Sequence, residues 1–301
     1  VKAAYYLGLG ISSGSAIEFV ANPFLGKLSD QTGRRWVYFI APLVAGLGGS
    51  LLVLATGGAS LPALMAHRIS NSCTPSMSFS LMFPVAISDM YSGMEYGVRA
   101  AKAFASIGLA LIVAPPLGTF LISATGNIMN VYKLRLVFAT VQLIFTYLCV
   151  DETLQEKNVR QFRWLDANPL SFMRLFTRSR ALGTLALTVF FNCFAEGKAI
   201  SSMMNGWLMG PPMHFPLPKQ TAYTSLFGVA AFSSGTFLVP RMLRTFGPRR
   251  FTDVCNAVSA AGFLISSAPS RLGKDLSAWG GLLLQAPGAN NTASAACKGM
   301  A

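Results

Sequence analysis

The stretch FLGKLSDQTGRRWVYF, residues 24–39, brings Asp30, Arg34 and Arg35 together around two glycines. The segments on either side of it contain hardly a charged residue. Charged groups are costly in apolar surroundings, so their concentration in one short stretch needs a physical reason. That reason depends on what kind of chain surrounds the stretch.

The composition of the chain is typical of a membrane protein. Of its 301 residues, 52% are hydrophobic and only 12% are charged, against about 25% charged residues in a soluble domain. Mostly apolar segments of bilayer-spanning length occur at 4–24, 36–57, 63–88, 101–123, 132–150, 181–203, 221–240 and 251–268, with an incomplete ninth at 276–286. Lipid tolerates no unpaired backbone, and the alternation of barrel strands is absent. We therefore predict an all-α, multi-pass membrane protein with about nine spans present.

The net charge of +13 could suggest nucleic acid as a partner, but the basic residues alternate from loop to loop. The loops and helix ends after spans one, three, five and seven hold Lys27, Arg34, Arg35, Arg99, Lys102, Lys157, Arg160, Arg163, Arg174, Arg178, Arg180, Arg241, Arg244, Arg249 and Arg250. The opposite loops hold only Lys133, Arg135, Lys219, Arg271 and Lys274. This is the positive-inside bias. It places residues 24–39 in the cytoplasm and predicts the lipid bilayer, not nucleic acid, as the partner.

The sequence shows no sign of an enzyme or of a bound cofactor. The five cysteines are scattered, mostly within spans, without the spacing of a metal or redox site. A phosphate-binding loop, a set of metal ligands and a nucleophile–base arrangement are all missing from the sequence. We predict neither cofactor nor metal.

The charged stretch has a partial copy later in the chain. Aligning GKLSDQTGRR (26–35) with PRMLRTFGPR (240–249) places Gly33 on Gly247 and Arg35 on Arg249. Internal repeats are frequent in secondary transporters. We expect an N-terminal helical half at 1–150, a cytoplasmic loop at 151–180 and a C-terminal half at 181–301. The repeat further predicts that the chain is an excerpt of a protein with two six-helix halves, incomplete at both ends.

The stretch 26–35 resembles the signature G-x-L-x-D-x-x-G-R-R of the major facilitator superfamily, found between the second and third helices of that family. Weaker similarities are DETL (151–154) to the motif that ends the sixth helix, and APPLG (114–118) to the antiporter signature of the fifth. HRISNS (67–72) resembles the fourth-helix R-x-x-Q-G motif through Arg68 alone. Within the family, the chain looks nearest to the tetracycline-resistance-like branch of drug and small-solute transporters.

The resemblance implies that the charged stretch is a conformational latch that favours the outward-facing state. Its residues would be Gly26, Asp30, Gly33, Arg34 and Arg35. The glycines permit close helix approach and a tight turn. Asp30, near the cytoplasmic end of one helix, can accept hydrogen bonds from the N-terminus of a neighbouring helix. The arginines can bind carboxylates or lipid phosphates. For the two arginines, a purely topogenic role remains the alternative.

Polar groups inside the spans are the candidates for a coupling or substrate site, because ionisable residues are costly there. They are Glu18, Arg68, Asn192 and Glu196. For Glu196, which shares a helix face with Asn192, a proton or substrate site and a structural interhelical hydrogen bond are equally good interpretations. Arg68 could affect proton coupling by resemblance or be a structural charge. His67 is expected to reach the outer surface.

Prolines predict where helices bend. Pro75 and Pro84 in the third span, and Pro115 and Pro116 in the fourth, remove backbone hydrogen bonds. Such kinks could help two halves rock, although membrane helices also tolerate proline without a functional reason. At the cytoplasmic ends of these two spans, Asp89 and Arg99 could pair as weak surface charges.

The resemblance implies a secondary transporter that moves a small organic solute by alternating access, coupled to protons. The alternative is a non-transporting receptor, sensor or scaffold with the same fold. Loss of the latch residues would favour that alternative, and here they are intact. The departures in the fourth- and fifth-helix motifs leave it open.

Overall fold

A computed structural model describes residues 2–154, 168–173, 179–180, 183–184, 186–187, 190–191, 206–211 and 213–285. All regular elements in these ranges are helices, in agreement with the predicted all-α class. They are α1 Lys2–Thr32, α2 Arg35–Ala55, α3 Leu61–Pro75, α4 Met82–Met90, α5 Gly93–Thr125, α6 Met129–Cys149, α7 Leu217–Ser233, α8 Val239–Ser266, α9 Pro269–Leu272 and α10 Gly281–Gln285, together with a short 3₁₀ turn at Pro169–Met173.

Four stretches of the described chain are long and apolar enough by composition to cross a membrane. They are Arg35–Ala55, Gly93–Thr125, Met129–Cys149 and Leu217–Ser266. The predicted spans at 4–24 and 63–88 also coincide with helices, namely α1 and the α3–α4 segment. The predicted span at 181–203 lies mostly outside the described residues, so the total number of spans stays a prediction.

Wide, π-helical turns interrupt or join several helices. They occupy Ala41–Gly48 inside α2, Ser76–Leu81 between α3 and α4, Ser234–Leu238 between α7 and α8, and Leu276–Gly280 before α10. Pro75 stands directly before the second of these turns. Because proline has no N–H to donate to the preceding turn, a widened turn is a common way to continue a helix past it. Pro84 is buried in α4, and α5 continues as helix through Pro115 and Pro116.

The chain divides into two compact units. Unit 1 comprises Val1–Met90 and Leu121–Arg174, and unit 2 comprises Tyr91–Phe120 and Leu175–Ala301. Contacts define these units, whereas the predicted halves are segments related by a sequence repeat. The predicted boundaries at residues 150 and 180 are therefore not tested by this division and stay predictions.

Small residues allow helices to pack closely within each unit. In unit 1, a Cβ on Gly14 of α1 would lie 2.6 Å from the Cβ of Ser72 in α3. In unit 2, a Cβ on Gly108 of α5 would lie 2.5 Å from the backbone nitrogen of Phe232 in α7, and Gly228 faces α5 in the same way. Close approach at small residues is how helices associate in an apolar solvent, where burial of apolar surface gives little driving force.

The first predicted span continues beyond its apolar part, and this extension positions the charged stretch. The span was predicted to end near residue 24, but α1 runs to Thr32 and so includes Asp30. Its end is fixed by Gly33, which has φ +104°, and α2 begins two residues later at Arg35. The charged residues therefore lie on the last turn of α1, in the connection and on the first turn of α2.

Candidate functional site

The turn after α1 depends on a backbone conformation that favours glycine. Gly33 donates its N–H to the carbonyl of Ser29 at 3.1 Å, which closes the last turn of α1. Its φ of +104° lies in the left-handed region, where a side chain is strained. Ser29 is fully buried and donates its hydroxyl to the carbonyl of Gly26 at 2.8 Å. The tight turn predicted at Gly33 is confirmed.

Arg34 lies at the centre of the charged group. Its Nη1 lies 2.6 Å from Oδ1 of Asp30 and donates to Oγ of Ser29 at 2.7 Å. Its Nε donates to Oδ2 of Asp89 at 3.3 Å. The side chain of Arg34 is only 7% exposed, and those of Asp30 and Asp89 are 23% and 15% exposed. One guanidinium thus connects the end of α1 to the end of α4 in partly desolvated surroundings.

Glu152, in the segment after α6, binds the backbone of the same turn. Its carboxylate accepts the N–H of Arg34 at 2.8 Å, the N–H of Arg35 at 3.1 Å and the N–H of Leu154 at 2.9 Å. A Cβ on Gly33 would overlap Oε2 of Glu152. Two features therefore require glycine at this position: the positive φ angle and the carboxylate that leaves no room for a side chain.

The hydrogen bonds to Glu152 affect its ionisation. Partial burial of the carboxyl raises its pKa, but backbone N–H donors from Arg34, Leu154, Arg35 and Thr153 together outweigh burial and leave the pKa below its usual value. The residue as a whole is exposed, so solvent weakens this effect. The ionised form of Glu152 is the one that the folded protein favours.

Ser29, Asp30, Arg34, Asp89 and Glu152 are together called the Arg34 cluster below. Arg35 lies beside it and donates from Nη2 to the backbone carbonyl of Tyr147. The guanidinium carbon of Arg35 also lies 5.6 Å from the centre of the Tyr147 ring. All these residues belong to unit 1.

Two members of the Arg34 cluster were not predicted as partners of the charged stretch. Asp89 was expected to pair with Arg99, and this expectation is wrong, because Arg99 binds Glu95 at 3.1 Å instead. Glu95 and Arg99 are four residues apart on one helix, which is a favourable spacing for an ion pair. One feature of the sequence pointed to Glu152, namely its place in the DETL motif, but that motif does not identify its partner.

Gly26 does not provide the close helix approach expected of it. No described atom lies within 4 Å of a Cβ built on this residue. Its described role is to offer its carbonyl to the Ser29 hydroxyl.

Two of the four candidate coupling residues lie in described helices of unit 1. Glu18 lies half-buried in α1. Arg68 lies on α3 with its Cγ 2.9 Å from the position of a Cβ on Gly10 of α1. Asn192 and Glu196 lie outside the described residues.

His67 also differs from the expectation that it reaches the outer surface. It is 8% exposed, and its Nε2 lies 3.4 Å from Nη1 of Arg135 in α6. No group of three or more His, Cys, Asp or Glu side chains within the described ranges could hold a metal ion.

Comparison with known proteins identifies the fold that carries the Arg34 cluster. A family model described as Major Facilitator Superfamily matches residues 3–296. The chain belongs to the major facilitator superfamily. The family membership inferred from residues 26–35 is thereby confirmed, and with it an integral, multi-pass membrane protein of a transporter family rather than an enzyme.

Solved structures that share the fold of this chain include two transporters. The human organic anion transporter MFSD10 (TETRAN) has a TM-score of 0.69 at 20% identity, over 97% of this chain and 69% of that one. The proton:xylose symporter XylE, bound to 6-bromo-6-deoxy-D-glucose, has a TM-score of 0.68 at 14% identity, over 99% of this chain and 72% of that one.

One sequence relative in the same superfamily is the uncharacterized MFS-type transporter YfiU of Bacillus subtilis (strain 168). It is 26% identical over 152 residues, which cover 50% of this chain and 26% of the relative. The matched region thus spans about a quarter of that relative's length.

Proposed function

We propose that the protein is a secondary active transporter that moves a small organic solute by alternating access, with protons as the coupling ion. Membership of the major facilitator superfamily supports the transport class. The two structures with the same fold are an organic anion transporter and a proton:xylose symporter, which supports a small solute and proton coupling. The bilayer is the other partner of the chain.

The Arg34 cluster is the observation that carries this proposal. It fastens four parts of unit 1 at one point: the end of α1, the start of α2, the end of α4 and the segment after α6. Partly buried ion pairs of this kind contribute little net stability, and a defined geometry is their best-attested use. The latch residues Asp30, Gly33, Arg34 and Arg35 therefore serve to favour one conformation over another, and Gly26 contributes the carbonyl that orients Ser29.

Proton coupling requires a group within the spans that can change its charge. Glu18 is such a group in the described chain, since it is a carboxyl on the predicted span within α1. Glu196, with Asn192 on the same predicted helix face, is the second candidate. Arg68, on α3, would adjust the electrostatic potential around the coupling carboxyl.

The proposal is tested with the full-length protein in sealed proteoliposomes under an imposed pH gradient. The flux of a panel of organic anions, cations and sugars is measured for wild type, Asp30→Asn, Glu18→Gln and Glu196→Gln. Glu95→Gln is the matched control, because Glu95 forms an exposed ion pair outside the cluster. Gradient-driven flux that falls with Asp30→Asn but not with Glu95→Gln supports the latch.

Loss of proton dependence in Glu18→Gln or Glu196→Gln, with solute exchange retained, assigns the coupling group. Absence of flux for every solute, with folded protein confirmed, contradicts the proposal and favours a receptor or scaffold. Equal flux in Asp30→Asn and wild type would contradict the latch alone.

A further inference from the structure

A second charged site lies within the helices of unit 1, away from the Arg34 cluster. Arg135 of α6 donates from Nη2 to Oδ1 of Asn71 at 2.6 Å, and its Nη1 lies 3.4 Å from Nε2 of His67. Both partners are on α3. The ring of Tyr132, one turn earlier on α6, packs edge-on against His67 at 5.3 Å between centres. The guanidinium is thus held in one place by two helices.

The predicted topology places this guanidinium inside the bilayer. By the predicted topology both α3 and α6 begin at the outer surface, and at 1.5 Å per residue Arg135 lies about 9 Å along its helix. Asn71 lies about 15 Å along α3, which is about half the thickness of the hydrocarbon core. An arginine near a helix end usually extends toward the headgroups. Arg135 instead extends toward the more deeply placed Asn71.

Arg135 has only neutral hydrogen-bond partners among the described residues. The described ion pairs of the chain include neither Arg135 nor Arg68, one residue after His67. Both guanidinium groups act electrostatically on His67, so positive potential is concentrated there. Intramembrane charges are normally paired, because leaving them without a counter-ion is costly. An anion from outside the described chain would complete this site.

A cleft of about 260 Å³ leads to Arg135 from between α2, α3 and α6. Arg135, Phe138 and Gln142 lie along one face of α6 and line it. The opposite wall is largely apolar and includes Pro42 and Phe79. Gln142 is two helical turns from Arg135, or about 10 Å. The cleft therefore offers a cation at one end, an amide at the other and apolar walls between them.

We propose that Arg135 binds the acidic group of a small organic anion whose apolar or aromatic body occupies this cleft. The volume is slightly below the usual range for drug-sized ligands, which is about 300–1,000 Å³, so the ligand is small. A guanidinium suits a carboxylate or sulfonate, and Asn71 and His67 fix its orientation in advance. The inference goes beyond the proposed transport function and does not depend on it.

The depth of Arg135 favours a free solute over a membrane lipid as the ligand. The acidic group of a phospholipid lies at the headgroup level, about 15 Å from the bilayer midplane. The Arg135 guanidinium lies nearer the midplane of the predicted span, deeper than that headgroup level.

The test is equilibrium binding, which does not require transport. Radiolabelled phenylbutyrate is the probe, and the full-length protein is held in phosphatidylcholine nanodiscs. Unlabelled phenylbutyrate, phenylbutanamide and phenylbutylamine compete as an anion, a neutral analogue and a cation with the same apolar body. We expect competition by the anion and at least about tenfold weaker competition by the other two, the usual difference for a charge-assisted hydrogen-bonded contact. Equal competition by all three would overturn the proposal.

Four variants locate the site. Arg135→Gln removes the cation and should weaken phenylbutyrate binding at least about tenfold, whereas Arg135→Lys should retain part of it. Lys133→Gln, which removes an exposed cation two residues away on α6, is the matched control and should bind as wild type does. If Arg135→Gln and Lys133→Gln bind phenylbutyrate equally well, Arg135 does not hold the anion and the proposal is wrong.

Asn71→Asp keeps the test decisive even if Arg135→Gln fails to fold. It changes an amide to a carboxylate of nearly the same shape beside Arg135 and so supplies an internal counter-ion. We expect phenylbutyrate binding to be lost in a folded protein. Unchanged binding in Asn71→Asp would overturn the proposal independently of Arg135→Gln.

Two further outcomes separate this inference from its alternatives. Displacement of phenylbutyrate from wild type by phosphatidylglycerol added to the nanodiscs, with no displacement by added phosphatidylcholine, would overturn the assignment to a free solute in favour of a lipid. Binding that depends on Arg135, in a protein without any measurable flux, would uphold this site and contradict the proposed transport function.

Discussion

The turn at Gly33 and its repeat at Gly247 have similar backbones but different chemistry. Both glycines have positive φ, +104° and +74°, and each separates two helical segments, since α8 is broken at Gly247. A Cβ on Gly33 would overlap Glu152, whereas no described atom lies within 4 Å of a Cβ on Gly247. The two copies share the positive φ, and among the described residues a carboxylate packs against the first copy alone.

The charged positions of the two copies diverge further. Arg244 stands where the first copy has Asp30, and Pro248 stands where it has Arg34. Arg244 is 64% exposed and lies 4.0 Å from Glu95, whereas Arg34 is 7% exposed between two carboxylates. A similar turn can thus carry a buried ionic cluster or an ordinary surface pair. Partners that are distant in sequence decide which of the two forms.

The largest difference between the copies should appear when each arginine is neutralised. Arg34→Gln leaves Asp30 and Asp89 facing each other without a cation, so we expect a loss of about 2–3 kcal/mol in unfolding free energy, less than for a fully buried pair because both carboxylates are partly exposed. Arg244→Gln should cost less than about 0.5 kcal/mol. Chemical unfolding of the purified protein measures both. Equal losses of unfolding free energy would show that burial does not distinguish the Arg34 cluster from the exposed pair of Arg244 and Glu95.

Replacing each glycine by alanine distinguishes backbone strain at a positive φ from a steric clash with the Glu152 carboxylate. Gly247→Ala should cost about 1 kcal/mol through its positive φ alone. Gly33→Ala should cost about 2 kcal/mol, because the methyl group must also displace a carboxylate that is held by backbone N–H groups. Thermal unfolding of the two variants side by side measures the difference. The double variant Gly33→Ala, Glu152→Ala tests the collision. A loss in unfolding free energy no larger than those of Glu152→Ala and Gly247→Ala added together would confirm it. A loss equal to those of Glu152→Ala and Gly33→Ala added together would contradict it.

The pH dependence of the unfolding free energy should show how much the ionised Glu152 stabilises the first copy. This residue has no described equivalent in the second copy. Its pKa is lowered in the folded protein, so its stabilisation is complete above the ordinary carboxyl pKa and is lost in acid as it binds a proton. We expect Glu152→Gln to cost about 1 kcal/mol at neutral pH. That difference from wild type should shrink at pH values below about 4, near the ordinary carboxyl pKa. A difference that grows in acid would contradict the lowered pKa.

The smallest effect is expected at Arg35 and its counterpart Arg249. Arg35→Lys keeps the charge but loses the planar group that faces Tyr147, so we expect a loss of about 0.5 kcal/mol. Arg249→Lys, at an exposed position, should change the unfolding free energy by less than that. Unfolding titrations of the two variants provide the comparison. An unchanged unfolding free energy in Arg35→Lys would favour the interpretation of Arg35 as only a topogenic charge.

The sequence by itself determined the class of the protein and the local shape of its charged turn. Long apolar segments permit only helices in a bilayer, and Gly33 specifies the positive φ. Basic residues in alternate loops predict the topology. Asp30 and Arg34, four residues apart at the end of one helix, can pair without any tertiary contact. All of these properties depend on neighbouring residues, so a pattern within the sequence is enough to find them.

Only the tertiary structure decided which distant groups complete the two sites. Asp89 is 55 residues from Arg34 and Glu152 is 118 residues from it, and the local surroundings of Asp89 favoured Arg99 as its partner instead. Arg135 and Asn71 are 64 residues apart, on separate helices. Charge and hydrogen bonding act over a few ångströms in space, and helix packing brings such groups together without leaving any regular spacing in the sequence.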